Sequence, residues 1–315
     1  MTTLTPRPWM PPVYRSPGAA PERGQRDQAR SLRHLIEQQT HLVEGNFATT
    51  STCHSIAVTS GKGGVGKSVL ALNLAVSLAR RDQRVALIDG SFGLGNLELL
   101  CGLNGYWNLS HVVSGARTVQ DIVLDGPAGV HLVPGASGLS DFEACPLHVQ
   151  NSLRQQLQQL EADHDYLIID TGSGLHPLVR PFAIAANSVF VITTPEPTAI
   201  AEAYATIKAL HEPQGPELSL VINRCDADRA AKIGERIEQT AESFLHAPLG
   251  LAVAIGDDPV VSYSVSQRTP FVTLAPSSLA SRGTKAWTEA LLARNGHSTG
   301  GFFSRLWSRL ERRAA

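Results

Sequence analysis

The chain has 315 residues, 43% of them hydrophobic and 17% charged, which allows a sizeable core and argues against global disorder. A formal net charge of −1 excludes a whole-chain electrostatic case for nucleic acid, so attraction to phosphate or lipid must come from a local patch. The four cysteines, Cys53, Cys101, Cys145 and Cys225, are scattered without a C-x-x-C pair or a Cys/His cluster. That spacing suggests neither zinc nor an iron–sulfur cluster and suits a reducing cytosol.

In chain order, residues 1–26 read as a disordered leader, because Pro6, Pro8, Pro11, Pro12, Pro17 and Pro21 break regular structure. This end has no apolar core of the kind a signal peptide needs. No later apolar run reaches the roughly 18–20 residues that span a bilayer, so a soluble intracellular protein is expected. A helix is predicted over 27–44, with Asp27 as N-cap and Ala29, Leu32, Leu35, Ile36, Leu42 and Val43 as intermittent apolar positions. Residues 45–54 read as a polar linker.

From 55 to 294 short apolar runs alternate with helical segments. Strands are predicted at Ser55–Thr59, Arg84–Asp89, Val130–Val133, Tyr166–Asp170, Ser188–Thr193, Leu218–Asn223 and Leu249–Ala254. Helices are predicted at Ser68–Arg80, Leu147–Glu161, Ala199–Leu210, Ala230–Phe244 and Ser277–Arg294. The strand runs are mostly continuous rather than alternating, as when both faces of a parallel sheet are covered. The order predicts an α/β fold, a doubly wound, mostly parallel sheet flanked by helices, with its site at the carboxyl ends of the strands. Residues 295–301 read as a linker and 302–313 as a separate amphipathic helix.

The segment Gly61-Lys62-Gly63-Gly64-Val65-Gly66-Lys67-Ser68 fits G-x-x-x-x-G-K-[ST] between a predicted strand and a predicted helix. Glycines let successive N–H groups point inward and cradle phosphate oxygens, aided by the positive end of the next helix. Lys67 is expected to reach the β- and γ-phosphates of ATP, and the Ser68 hydroxyl to ligate Mg2+. Asp170 and Asp89 end predicted strands, where they can act on the metal through water.

The extra lysine makes the loop K-G-G-x-G-K-S, which resembles the deviant phosphate loop of the MinD/ParA ATPase family over about 55–294. The resemblance implies an ATP-dependent homodimer in which Lys62 reaches the partner's phosphates. It makes Lys62, Lys67 and Asp89 the catalytic candidates, Asp170 the Walker B aspartate and Thr171–Gly174 the second switch. Asn223, followed by Arg224, resembles the asparagine that reads adenine, although a turn asparagine would look the same. Gly256-Asp257-Asp258-Pro259 resembles the loop over the base, with Gly256 where proline is usual. One position departs: the family's first switch reads Asp-x-Asp, and this chain has Asp89-Gly90-Ser91. Serine cannot serve as a general base at neutral pH, and losing that function costs about 10²–10⁴-fold in rate. A slow ATPase and an ATP-binding switch that hardly hydrolyses are both compatible with Ser91.

Within the family, Asp27-Gln28-Ala29-Arg30-Ser31-Leu32-Arg33 resembles the D-Q-A-x-x-L-R motif of the flagellar-number regulators, the FlhG/FleN class. It implies contact with the SRP-type flagellar GTPase FlhF, with Asp27, Gln28, Ala29, Leu32 and Arg33 as partner-binding residues. A flagellar switch or transcription-factor partner is also compatible, and direct nucleic-acid binding is not expected. Gly93–Leu100 and Thr193–Tyr204 resemble the flagellar and division regulators more than partition ATPases. A division-site regulator is the alternative. In the C-terminal segment, Phe302, Phe303, Leu306, Trp307 and Leu310 share one helical face flanked by Arg305, Arg309, Arg312 and Arg313. That pattern predicts a helix lying in an anionic membrane, at the inner face of the cytoplasmic membrane and at a cell pole in such regulators. A helix packed on its own domain has the same pattern.

Overall fold

A computed structural model describes residues 52–90, 97–135, 145–174, 179–294 and 300–314, all within the compact unit Thr50–Ala315. The expected leader, the 27–33 heptapeptide, Ser91 and most of the 295–301 linker lie outside the described residues.

Among the described residues, β1 (His54–Ser60) comes first, followed by the phosphate loop and α1 (Lys67–Ala79), then β2 (Val85–Gly90). Three short helices follow, α2 (Leu97–Leu100), α3 (Leu109–Val113) and α4 (Val119–Ile122), then β3 (Leu124–Asp125) and β4 (His131–Val133). Next come α5 (Leu147–Ala162), β5 (Tyr166–Ser173), α6 (Val179–Ala185), β6 (Ser188–Thr193) and α7 (Pro197–Leu210). The remainder is β7 (Glu217–Asn223), α8 (Ala227–Leu245), β8 (Ala252–Ile255), α9 (Pro259–Ser266), α10 (Phe271–Leu274), α11 (Leu279–Leu292) and α12 (Phe302–Ala314).

The described strands form one eight-stranded sheet in the order β3-β4-β2-β5-β1-β6-β7-β8. Every pairing is parallel except β3 with β4 at the edge. Alternate strand residues divide between two cores. Ala57, Ile88, Leu167, Ile169 and Val191 face one, while Ile56, Leu87, Ile168, Phe190 and Val221 face the other. Both sets are apolar because helices cover both faces, so the strands read as continuous hydrophobic runs. α1 is buried nearly all round, from Leu70 through Leu78, which explains its weak amphipathic pattern.

In this structure the apolar face of the C-terminal helix is packed on its own domain, the alternative that the sequence pattern left open. Phe302 is 0% exposed, Phe303 1%, Leu306 0%, Trp307 3% and Leu310 9%, all within the core that includes Phe182 of α6 and Leu157 of α5. Phe302 lies 6.4 Å from Phe182, ring centroid to ring centroid. Polar contacts hold the same helix. Glu161 of α5 accepts from the backbone N–H of Phe302 at 2.6 Å and of Phe303 at 3.2 Å, capping the first turn. Arg305 Nε donates to the Ala185 carbonyl at 2.7 Å, and another guanidinium N–H donates to Ser55 Oγ at 3.1 Å. Burying each large apolar side chain stabilises docking by roughly 1.5–3 kcal/mol relative to exposure. The sequence pattern is met here by protein rather than by lipid.

Candidate nucleotide-binding site

Parallel order brings the carboxyl ends of β1, β2, β5 and β7 to one edge, with β1 between β5 and β6. β1 feeds the loop Gly61–Gly66 into α1. Gly64 has φ +79° and Gly66, the N-cap of α1, has φ +95°, a left-handed backbone suited to glycine. Gly61 is required for a different reason: any Cβ there would overlap the Glu202 carbonyl of α7.

Lys67, the first residue of α1, is 8% exposed and pairs its ammonium with Asp170 Oδ1 of β5. Its Nζ also lies 3.4 Å from Ser68 Oγ. Burial pushes the Asp170 carboxyl up from its ordinary value, opposed by the Lys67 charge and by hydrogen bonds from Lys67 and Ser68. Asp89 sits beside Asp170 in strand register, is 1% exposed, and accepts from the Leu97 N–H at 3.4 Å. Thus Lys67, Ser68, Asp89 and Asp170 lie close together at the ends of their elements. In the segment expected to form the second switch, Thr171 Oγ1 donates to Val58 O at 3.1 Å, and the Gly174 N–H donates to Ser60 O at 2.8 Å.

Lys62 stands apart at the surface. Its side chain is 34% exposed and pairs with Glu196 of the same chain, with a further bond of 3.2 Å to Thr198 Oγ1. Lys62 also draws the Glu196 carboxyl below its ordinary range. Glu196 carries no phosphate-loop signature, so sequence reasoning gave it no role. A second missed carboxylate is Glu98 of α2, half-buried, with Oε2 buried and unpaired in a hydrogen bond. Burial, then the nearby Asp89 charge, push its carboxyl up. Its sequence signal was its place in Gly93–Leu100, seven residues past Ser91.

Asn223 ends β7 and is engaged with the loop itself: Nδ2 donates to Val65 O at 2.8 Å, and Oδ1 accepts from the Arg224 N–H at 3.0 Å. Both residues line a cavity of about 550 Å³ with Gly66, Val69, Gly256, Asp257 and Val261. Arg224 has φ +57°. The cavity adjoins α1 and is large enough for a purine, and its lining mixes apolar side chains such as Val69 and Val261 with polar ones such as Arg224 and Asp257. Asn223 therefore braces the loop with the same amide assigned to base reading.

These residues fit a nucleoside triphosphate and its magnesium. Gly63 and Gly64 leave space on the loop's open side, where a Cβ at Gly64 would meet nothing within 4 Å. Lys67 is a buried cation whose counter-charge is a strand-end carboxylate, the arrangement of a phosphate-binding centre. Among the described residues there is no group of three or more His, Cys, Asp and Glu side chains placed to hold a metal ion.

The fold and loop define a P-loop nucleoside triphosphatase architecture. A family profile described as an AAA domain matches residues 53–220. The chain is 33% identical over 233 residues to the antiactivator FleN of Pseudomonas aeruginosa, covering 73% of this chain and 83% of that one. It is 32% identical to the flagellum site-determining protein YlxH of Helicobacter pylori, covering 72% and 78% respectively. Among solved structures, the septum site-determining protein MinD of Pyrococcus horikoshii, complexed with Mg-ADP, shares the fold. Its TM-score is 0.61 and its identity 22%, over 76% of this chain and 96% of that one. The chain belongs to the MinD/ParA family of ATP-binding proteins.

Proposed function

We propose that this protein is an ATP-dependent dimerising switch of the flagellar-number class. The observation that carries the reading is the position of Lys62: a second loop lysine at the surface, held by an exposed carboxylate and a threonine hydroxyl of its own chain. A surface ion pair of this kind contributes little, so Lys62 is easily surrendered to a stronger anion. The likeness to the antiactivator FleN and to the flagellum site-determining YlxH supports the flagellar assignment.

ATP with Mg2+ supplies the concentrated negative charge to which the loop responds. Gly63–Gly66 N–H groups, Lys67 and Ser68 would hold it, and Asp170 and Asp89 would act on the metal through water. Lys67 must leave Asp170 to do so, and Lys62 must leave Glu196 to reach the partner subunit. α6 follows β5 and the second switch, and it carries much of the surface on which α12 rests. Closure of the dimer at the second switch therefore bears on the α12 groove. In this reading α12 is released there and its apolar face turns to an anionic membrane. Two released helices act together, and effective concentration raises avidity about 10²–10⁴-fold. The 27–33 heptapeptide acts on the flagellar GTPase FlhF. Ser91 slows hydrolysis and prolongs the ATP state.

Light scattering and flotation with phosphatidylglycerol vesicles test the switch. Wild type with Mg-ATP is expected to dimerise and float, and Lys62→Ala to do neither. ATP-dependent flotation unaffected by Lys62→Ala would overturn the coupling. For the partner, capture of FlhF by wild type but not by Gln28→Ala is expected. No capture by wild type would favour a division-site role for the same core.

A further inference from the structure

Docking α12 creates a groove that borders the nucleotide site only at Gly174, the last residue of the expected second switch. It has a volume of about 1010 Å³ and lies between α6, the end of α7 and α12. Its floor is apolar, with Val179 and Ile184 from α6 and Leu210 from α7. Around it stand Arg180 of α6 and Arg309 and Arg312 of α12.

Glu212 ties this rim together. Its Oε1 accepts from Arg180 at 2.8 Å, and its Oε2 accepts from Arg309 at 2.9 Å. Arg180 Nε also donates to the Ala209 carbonyl at 2.9 Å. Both carboxylate oxygens are thus engaged, yet each guanidinium has five N–H donors and keeps some open. Arg312 is exposed and pairs with no carboxylate among the described residues. Three positive charges against the one on Glu212 leave an excess of two over an apolar floor.

We propose that this groove docks an acidic, amphipathic segment of another protein, and that the site exists only while α12 is docked. Charge complementarity requires carboxylates, and guanidinium forks suit them bidentately. A concave apolar floor suits the apolar face of a helix or short peptide. A membrane surface suits it less, because the apolar side chains of docked α12 point inward and offer lipid no anchor. Two of the three arginines belong to α12, so its departure dismantles the site. An occupant therefore holds α12 down, and partner binding opposes membrane engagement. That last consequence rests on the proposed release of α12, whereas the groove itself does not.

The test uses the nucleotide-free full chain and a fluorescein-labelled peptide with Glu and Leu at helical spacing, read by fluorescence anisotropy. A Lys/Leu peptide of the same spacing is the charge control. The Glu/Leu peptide is expected to bind and the Lys/Leu peptide not to. Arg312→Glu and Arg180→Glu should each weaken binding about three- to tenfold, the size expected for reversing a partly exposed charge. Arg180→Gln, with an unchanged melting temperature, replaces Arg180→Glu if reversal disturbs folding. Absence of binding, equal binding of the Lys/Leu peptide, or indifference to Arg312→Glu would overturn the proposal. Arg312-dependent binding of nucleotide-free protein to phosphatidylglycerol vesicles would overturn it too, by assigning the arginines to lipid.

Discussion

Lys67 and Asp170 each make the other tolerable in a buried site. Removing one partner of such a pair costs about 3–5 kcal/mol, less whatever is recovered when the survivor neutralises. Lys67→Ala is therefore expected to lower the melting temperature and abolish nucleotide binding. Adding Asp170→Asn should restore much of the melting temperature but no binding, as read by calorimetry and a fluorescent ATP analogue. The sign of the pH effect follows from Asp170, whose folded carboxyl is raised by burial. A raised acid favours the protonated folded state, so relative stability is present at low pH and is lost as pH rises through the folded value. In Lys67→Ala, where the opposing cation is gone, melting temperature should increase as pH falls from about 7 to about 5. A flat profile in that variant would contradict the assignment. Gly61→Ala should destabilise the loop, because the new methyl meets the Glu202 carbonyl rather than a movable side-chain end. Ser91→Asp should accelerate single-turnover hydrolysis by about 10²-fold or more if its lost carboxylate limits the rate.

Secondary-structure elements were legible in proportion to how much of their stability is local. β1, β2, β5, β6 and β7 appear as continuous apolar runs because both faces are covered, and α5, α7 and α8 as periodic segments. β8 begins at Ala252, three residues beyond its predicted start, since the preceding apolar residues belong to the connection from α8. The two-residue β3 and the four-residue helices α2, α4 and α10 were not anticipated. One or two turns cannot repay helix nucleation alone, so tertiary contacts decide them. α4 shows the compensation, with Thr118 and Asp121 capping each other reciprocally. α12 has a cap borrowed from another element, Glu161. Glu161→Ala should weaken docking by about 0.5–2 kcal/mol, the range for a lost cap. Vesicle flotation without ATP should then rise above wild type, and an unchanged value would detach the cap from membrane control.

At the scale of the whole molecule, strand order converts separate sequence signals into one site. Residues 61–68, 89, 170 and 223 are far apart along the chain, yet parallel pairing places their strand ends along one edge. The loop's phosphate chemistry, its two carboxylates and the family were determined by the sequence alone, since backbone conformation and charge there depend on residue type. The partners of three groups were decided only by the tertiary structure. Lys62 found Glu196, Asn223 found the loop carbonyl, and the apolar face of α12 found α5 and α6. An amphipathic pattern states that a face must be covered but not by what, because lipid and protein satisfy the hydrophobic effect alike. Which surface lies within reach is a property of the folded chain.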